Sequence, residues 1–220
     1  MSLRHNQPRR AYTMVEILMA VGVFSLVSLV VFQFISWSRR AQDATSWKQS
    51  ATDAVKLNEV FWQQHFTAAT FQLKSLNVNA MGIIQAPPEV IEAPVKIRSG
   101  GEGDIMASYS GGAGEWEVWT FKTFRRNPVT SEYDEYIVTG YLKGSHPAVE
   151  LHGRVVLGGN VVNQAKLLEN VTAITSSTRS SPDENINVLS IEFEVSHPRR
   201  SALKVSKKSN FRVSTTIESL

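Results

Sequence analysis

The chain has 220 residues, of which 23 are basic and 20 acidic, and its net charge at pH 7 is +3. It contains no cysteine, which excludes a disulfide framework. The mild charge indicates no particular partner, and the length suffices for one folded domain and one membrane-anchoring segment.

An apolar segment near the start of the chain is long enough to cross a bilayer. Ile17 to Ile35 carry no charge, and only two serines and a glutamine among them are clearly polar. A hydrocarbon core of roughly 30 Å requires about 20 such residues in a helix. Residues 1–11 contain three arginines and no acid. This bias predicts that they are cytoplasmic and that everything after about Trp37 is extracytoplasmic.

The residues directly before this segment form a specific pattern. Arg9 and Arg10 are followed by the small residue Ala11, by the aromatic Tyr12 and then by the acid Glu16. A carboxylate where hydrocarbon begins costs free energy unless it finds a partner or reaches water, so it is a candidate functional group. The pattern resembles the processing signal of type IV prepilins and pseudopilins.

The resemblance implies a role for three of these residues. A prepilin peptidase would cut between Ala11 and Tyr12, the new amine of Tyr12 would be methylated, and Glu16 would neutralise the amine of a neighbouring subunit. Four helical positions separate Tyr12 from Glu16, about 6 Å along the axis, so pairing between subunits would give stacked helices one preferred register. The chain departs from the family at Ala11, where glycine is usual, and at Tyr12, where phenylalanine or methionine is commoner.

Two other interpretations of the segment stay open. A secretory signal peptide also starts with basic residues, but its apolar part spans about 7–15 residues and ends at a small-x-small site. Here the apolar part is longer, and Ser36-Trp37-Ser38-Arg39-Arg40 follows it. An ordinary single-pass anchor would let Glu16 bend back to the headgroups. Such a protein would be a membrane-anchored binding module or enzyme that never assembles.

The helix is predicted to continue beyond the membrane. Neither glycine nor proline occurs from Val23 to Met81, and these residues are the usual helix breakers. We expect a transmembrane half, 12–36, and an extracytoplasmic half, 37–78, that frays between Thr70 and Asn79. An apolar stripe at spacings of three and four predicts one face against a core; it comprises Trp37, Ala41, Ala44, Trp47, Ala51, Ala54, Val55, Asn58, Phe61, Trp62 and His65.

Residues 79–220 are predicted to form a β-rich head. A segment rich in glycine and proline includes one short extended stretch, Val95–Arg98. After it come stretches with strand patterns: Trp116–Phe124, Glu135–Leu142, Gly153–Leu157, Leu167–Thr178 with a bent start, Asn187–Ser196 and Asn210–Ile217. Antiparallel strands that follow one long helix predict an α+β fold with the helix packed on the sheet. This order also resembles minor pseudopilins of the J class and related minor pilins.

Basic residues cluster near the end of the chain, with no acid between them: Arg199, Arg200, Lys204, Lys207, Lys208 and Arg212. We expect a solvated hairpin loop between the last two strands. The alternative is an electrostatic patch for DNA or another anionic partner. The histidines lack metal-ligand spacing, and the acidic clusters lack the pattern of a calcium loop. We therefore expect no metal, no other cofactor and no catalytic residue.

The expected protein is a minor pilin or pseudopilin, a structural subunit of a type IV pilus-like filament. It would reside in a bacterial inner membrane with one span and a periplasmic head, and enter the filament after processing. Its expected partners are the prepilin peptidase, other pilins along the N-terminal helix, and the membrane. DNA would be a further partner only in the alternative in which the basic cluster binds it. The residues do not indicate whether the filament serves type II secretion, adhesion or DNA uptake.

Overall fold

The structure of the chain is a computed structural model. It describes residues 13–68, 72–73, 90–91, 94–98, 102–129, 133–181, 186–213 and 216–220. The chain divides into two compact units, residues 1–46 and residues 47–220.

Helix α1 runs from Met14 to Thr67. Its residues up to Ser46 belong to the first unit, and the rest belong to the second. Its first part is long and apolar enough to cross a membrane, with a mean hydropathy of 2.5 over 18 residues, none of them buried. Phe24 and Phe32 are 73% and 72% exposed. Burial of one large apolar side chain is worth about 1.5–3 kcal/mol, so this exposed surface would gain free energy from apolar surroundings.

The helix ends at Thr67, and the predicted end near residue 78 is wrong. The N–H of Ala68 donates to the carbonyl of His65 at 3.1 Å, which closes a final tight turn. Strand β1, Gln72–Leu73, then pairs antiparallel with β2, Val90–Ile91. At Gln72 and Leu73, pairing with β2 therefore overrides helical propensity.

The second unit contains two larger sheets. The remaining described strands, in chain order, are β3 (Val95–Ile97), β4 (Gly103–Asp104), β5 (Gly112–Arg126), β6 (Tyr133–Gly144), β7 (Glu150–Leu157), β8 (Asn160–Leu168), β9 (Val171–Ser181), β10 (Ile186–His197), β11 (Arg200–Val213) and β12 (Ile217–Ser219). One sheet has the order β12-β3-β5-β6-β7-β8, and the other β11-β10-β9-β4. The β12–β3 pair is parallel, and the other described pairs are antiparallel.

One hydrophobic core joins the second part of α1 to both sheets. The ring of Trp62 meets that of Trp119 edge-on, with centroids 4.8 Å apart. Phe66 lies 4.7 Å from Phe121 of β5 and 5.0 Å from Phe211 of β11, so it contacts each sheet. The predicted α+β architecture, with a long N-terminal helix packed against a mostly antiparallel β region, is confirmed.

The predicted apolar stripe forms a core face from Trp47 onward. Its buried members are Ala51, Val55, Asn58, Trp62 and His65. Phe66 belongs to the same buried face and was missing from the prediction. Trp37, in contrast, is 67% exposed, and Ala41 is exposed. The stripe therefore packs on a core in the second unit and not in the first.

Two strand predictions need correction. The expected strand Leu167–Thr178 is divided between β8 and β9, which belong to different sheets, because the chain turns at Glu169 and Asn170. The φ of Asn170 is 53°, in the left-handed region. The expected strand Asn210–Ile217 is also divided, since β11 ends at Val213 and β12 joins the other sheet. Such changes of sheet depend on which partner strand is nearby.

Candidate functional site

Thr13 and Glu16 form a reciprocal cap at the start of α1. The N–H and the hydroxyl of Thr13 donate to Oε2 of Glu16 at 2.8 and 3.1 Å, and the N–H of Glu16 donates to Oγ1 of Thr13 at 3.3 Å. This arrangement is a capping box, which satisfies backbone donors that the helix itself leaves unpaired. The carboxylate also lies at the positive end of the helix dipole.

The cap gives Glu16 a partner within its own chain. Glu16 is the only charged residue from Thr13 to Ser38, and the uncharged span begins at the next position. A cap of this kind contributes about 1 kcal/mol. The prediction that Glu16 is an assembly residue overlooked Thr13, although its spacing from Glu16 is a readable helix-start signal. Ala11 and Tyr12, the predicted cleavage and methylation residues, lie outside the described residues.

The predicted loop for the basic cluster is wrong. Residues 200–213 form β11, which pairs with β10 along almost its whole length, and the turn is confined to Pro198 and Arg199. Lysine is depleted in strands generally, so the pattern favoured a loop. Edge strands are the exception, because lysine there opposes pairing with other chains, and β11 is an edge.

The outward face of β11 presents cations beside the acids of β10. Lys204 and Lys208 are exposed. The ammonium of Lys204 lies 2.8 Å from Oε1 of Glu194, and Lys208 stands opposite Glu192 in the register. These acids, absent from the linear cluster, reduce the positive potential that a nucleic acid would meet.

Lys207 points to the opposite face of β11. Its ammonium bonds to the carboxylate of Glu59 on α1. The Lys207 ammonium lowers the pKa of Glu59 against the opposing effect of burial. The five predicted patch residues, Arg199, Arg200, Lys204, Lys207 and Lys208, are therefore not brought together on one face, and Lys207 instead ties the helix to the sheet.

His65 is the buried histidine on the core face of α1. Its side chain is 6% exposed, its ring lies 4.7 Å from that of Phe61, and its Nδ1 has no partner among the described residues. Burial, assisted by the charge of Arg125, lowers the pKa of His65 to about 4. The ring is neutral at physiological pH, which suits a packing residue.

A polar cluster covers part of the six-stranded sheet on the face away from the core. Tyr141 stacks on His152 with centroids 5.2 Å apart, and the Arg154 guanidinium lies 4.7 Å from the Tyr141 centroid. Arg154 also bonds to Glu115, and Nε2 of His152 lies 2.9 Å from Oε2 of Glu150. The Arg154 bond lowers the pKa of the Glu115 carboxyl. The charges neutralise one another, as in a structural surface layer.

A groove of about 380 Å³ lies between α1 and the turn from β8 to β9. Its lining is mainly apolar and includes Trp47, Ala54, Leu57, Leu167 and Val195. Among the residues that the structure describes, no group of three histidine, aspartate or glutamate side chains could hold a metal ion. No family model matches the chain, and no curated protein or solved structure matches it either.

Proposed function

We propose that this chain is a minor pilin or pseudopilin of a type IV pilus-like filament. It would be held in a bacterial inner membrane with a periplasmic head, and processed by a prepilin peptidase between Ala11 and Tyr12. One observation carries the proposal: the Arg-Arg-Ala-Tyr pattern and Glu16 stand directly before an apolar span. The same helix, α1, then continues into the packed head.

The capping box supplies a physical step for assembly. In the single subunit, the Glu16 carboxylate is held by neutral donors of Thr13. A charged amine on Tyr12 of a neighbouring subunit would be a stronger partner, because the attraction between opposite charges would add to the hydrogen bond that the carboxylate already accepts from neutral donors. Pairing would also relieve the cost of two isolated charges in an apolar medium. Glu16 would then exchange Thr13 for the amine when the subunit enters the filament.

The same cap supports one alternative, a single-pass anchor that never assembles. In such a protein Glu16 would only start the helix, and the head would act as a binding module or enzyme. The state of the N-terminus distinguishes the two. Mass spectrometry of the mature protein should find a methylated Tyr12. An intact Met1 or Ser2 in the functioning protein would refute the assembly proposal, because the required amine would not exist.

Three variants separate the charge of Glu16 from its capping role. Glu16→Gln keeps the capping box, since glutamine also closes it, but removes the charge. Thr13→Ala removes the hydroxyl half of the capping box and keeps the charge, and Glu16→Ala removes the charge together with the carboxylate half of the box. We expect all three in the membrane fraction by immunoblot, with both Glu16 variants absent from sheared filaments and Thr13→Ala still present. Normal incorporation of Glu16→Gln into filaments would show that Glu16 serves only as a helix cap.

A further inference from the structure

A groove of about 360 Å³ lies between α1 and β11, apart from the apolar groove beside the β8–β9 turn. Its helix wall is formed by Lys48, Thr52 and Val55, which share one face of α1 because they are four and three positions apart. Its strand wall is formed by four consecutive residues, 204–207. A volume of this size falls within the range of binding clefts, about 300–1,000 Å³.

The strand wall shows that the groove follows the edge of β11. Successive side chains of a strand point to opposite faces of the sheet, so a groove on one face would be lined by every second residue. Contact with residues 204–207 in succession instead places the groove along the edge, where the backbone is accessible. β10 occupies the other edge, with Val195 opposite Val205. Unpaired backbone groups of β11 therefore face the groove, since no described strand pairs with that side.

This edge is regular enough to accept another extended chain. β11 pairs with β10 without interruption from Lys204 to Val213, and the register shift lies outside that stretch, at Ser196 and His197. Lysine on an edge excludes most strands through its charge. That exclusion depends on the charge of the incoming strand, because opposite charges on neighbouring strands attract and like charges repel. An acidic strand is therefore the exception.

The cations around the groove are not all neutralised. Lys204 pairs with Glu194, and Lys207 pairs with Glu59. Lys48 is exposed and has no ion pair among the described residues. The described lining of the groove contains no acid. Along the same strand, the exposed Lys208 and Arg212 also lack an ion pair within the described part of the chain. The groove and its continuation along β11 therefore carry excess positive charge.

We propose that this groove binds an extended acidic segment of a partner protein. The backbone of the segment would add to the edge of β11 at residues 204–207, as in other cases of strand addition. Its side chains would alternate between two sides. Carboxylates on one side would meet Lys48 across the groove, and those on the other would lie beside Lys204 and Lys208. The contact does not use Glu16, so it holds whether or not the chain enters a filament.

Fluorescence anisotropy of the full chain in detergent micelles tests the role of charge. The probe is a short labelled peptide of alternating glutamate and threonine, and its control has glutamine in place of glutamate. Lys48→Gln should weaken binding of the acidic peptide about fivefold, which corresponds to about 1 kcal/mol. The matched control is Lys96→Gln on β3, another exposed lysine without an ion pair among the described residues, and it should bind as the parent does. Equal binding of the two peptides, or equal losses in the two variants, would overturn the proposal.

N-methylated peptides test the backbone pairing. Alternate residues of a strand direct their N–H groups to the same edge. Of two acidic peptides that are N-methylated at odd or at even positions, one should therefore lose binding and the other keep it. Two such peptides that bind equally would refute strand addition. A duplex oligonucleotide that competes as strongly as the acidic peptide at the same salt concentration would refute the assignment to a peptide.

Discussion

Mild acid is expected to destabilise the head through His65. Its side chain is buried in the core face of α1, and burial lowers its pKa from 6.5 to about 4. In the unfolded chain the same imidazole takes up a proton near pH 6.5. Between those two values the unfolded state binds more protons, so the free energy of unfolding falls as the pH falls.

The expected loss of unfolding free energy follows from the width of the pH interval between the two pKa values of His65. Each pH unit within that interval changes the free energy of unfolding by about 1.36 kcal/mol. Acidification from about pH 7.5 to about pH 5 crosses roughly 1.5 units below the unfolded pKa, which corresponds to a loss of about 2 kcal/mol. The loss continues down to about pH 4, where the folded His65 itself protonates.

Denaturant unfolding of the full chain in micelles at the two pH values measures this effect. The fluorescence of Trp62 and Trp119, which are fully buried, reports on the core. His65→Leu removes the titrating group while filling the site, so its free energy of unfolding should change much less over this range. The exposed His146 provides the control, and His146→Leu should behave as the parent. An equal pH dependence in the parent and His65→Leu would refute this explanation.

Two further substitutions test the packing of the head. Gly140→Ala is expected to cost about 1–3 kcal/mol by overpacking, because the new Cβ would lie 2.3 Å from Nε1 of the buried Trp119; thermal and denaturant unfolding measure the loss. Lys207→Met should cost up to about 1 kcal/mol at neutral pH by leaving the Glu59 carboxylate without its cation. Since the Lys207 bond lowers the pKa of Glu59, the difference between parent and variant should disappear as the pH falls through that pKa.

Each substitution has a matched control in the chain. Gly114→Ala adds the same methyl group in β5, where no atom lies within 4 Å of the new Cβ, and it should leave the stability almost unchanged. Lys208→Met removes a lysine from the exposed face of the same strand as Lys207. Equal losses in the Gly114 and Gly140 variants would argue against overpacking. Equal losses in the two lysine variants would argue against a specific role for the pair with Glu59.

Periodicity in the sequence was sufficient to predict the elements that bury a regular face. α1 was foreseen from a run without breakers, and β10 from its alternation, since Leu189, Ile191, Phe193 and Val195 are all buried. β5 shows where this reasoning fails. Its alternation placed Val118 and Trp119 on opposite sides, but a register shift against β6 buries both. A bulge of this kind depends on the partner strand.

β8, a strand that the sequence did not predict, also shows where prediction from periodicity fails. Residues 160–164 bury no side chain, so they carry no alternation to detect, and pairing with β7 alone makes them a strand. The basic residues of β11 were assigned to a loop for a related reason. Their pairing with β10, and the acids Glu194 and Glu192 that stand beside Lys204 and Lys208, come from distant parts of the chain.

The sequence by itself determined the apolar span, the acid at its start, the long helix and the β-rich head, because these follow from local composition and from periods of two and 3.6 residues. Tertiary structure alone decided where α1 ends, which strands share a sheet, and which charges neutralise one another. Those features depend on contacts between residues far apart in the chain. The cap between Thr13 and Glu16 is determined by local sequence, since a spacing of three residues specifies it. The pair of Lys207 with Glu59 is decided by tertiary structure.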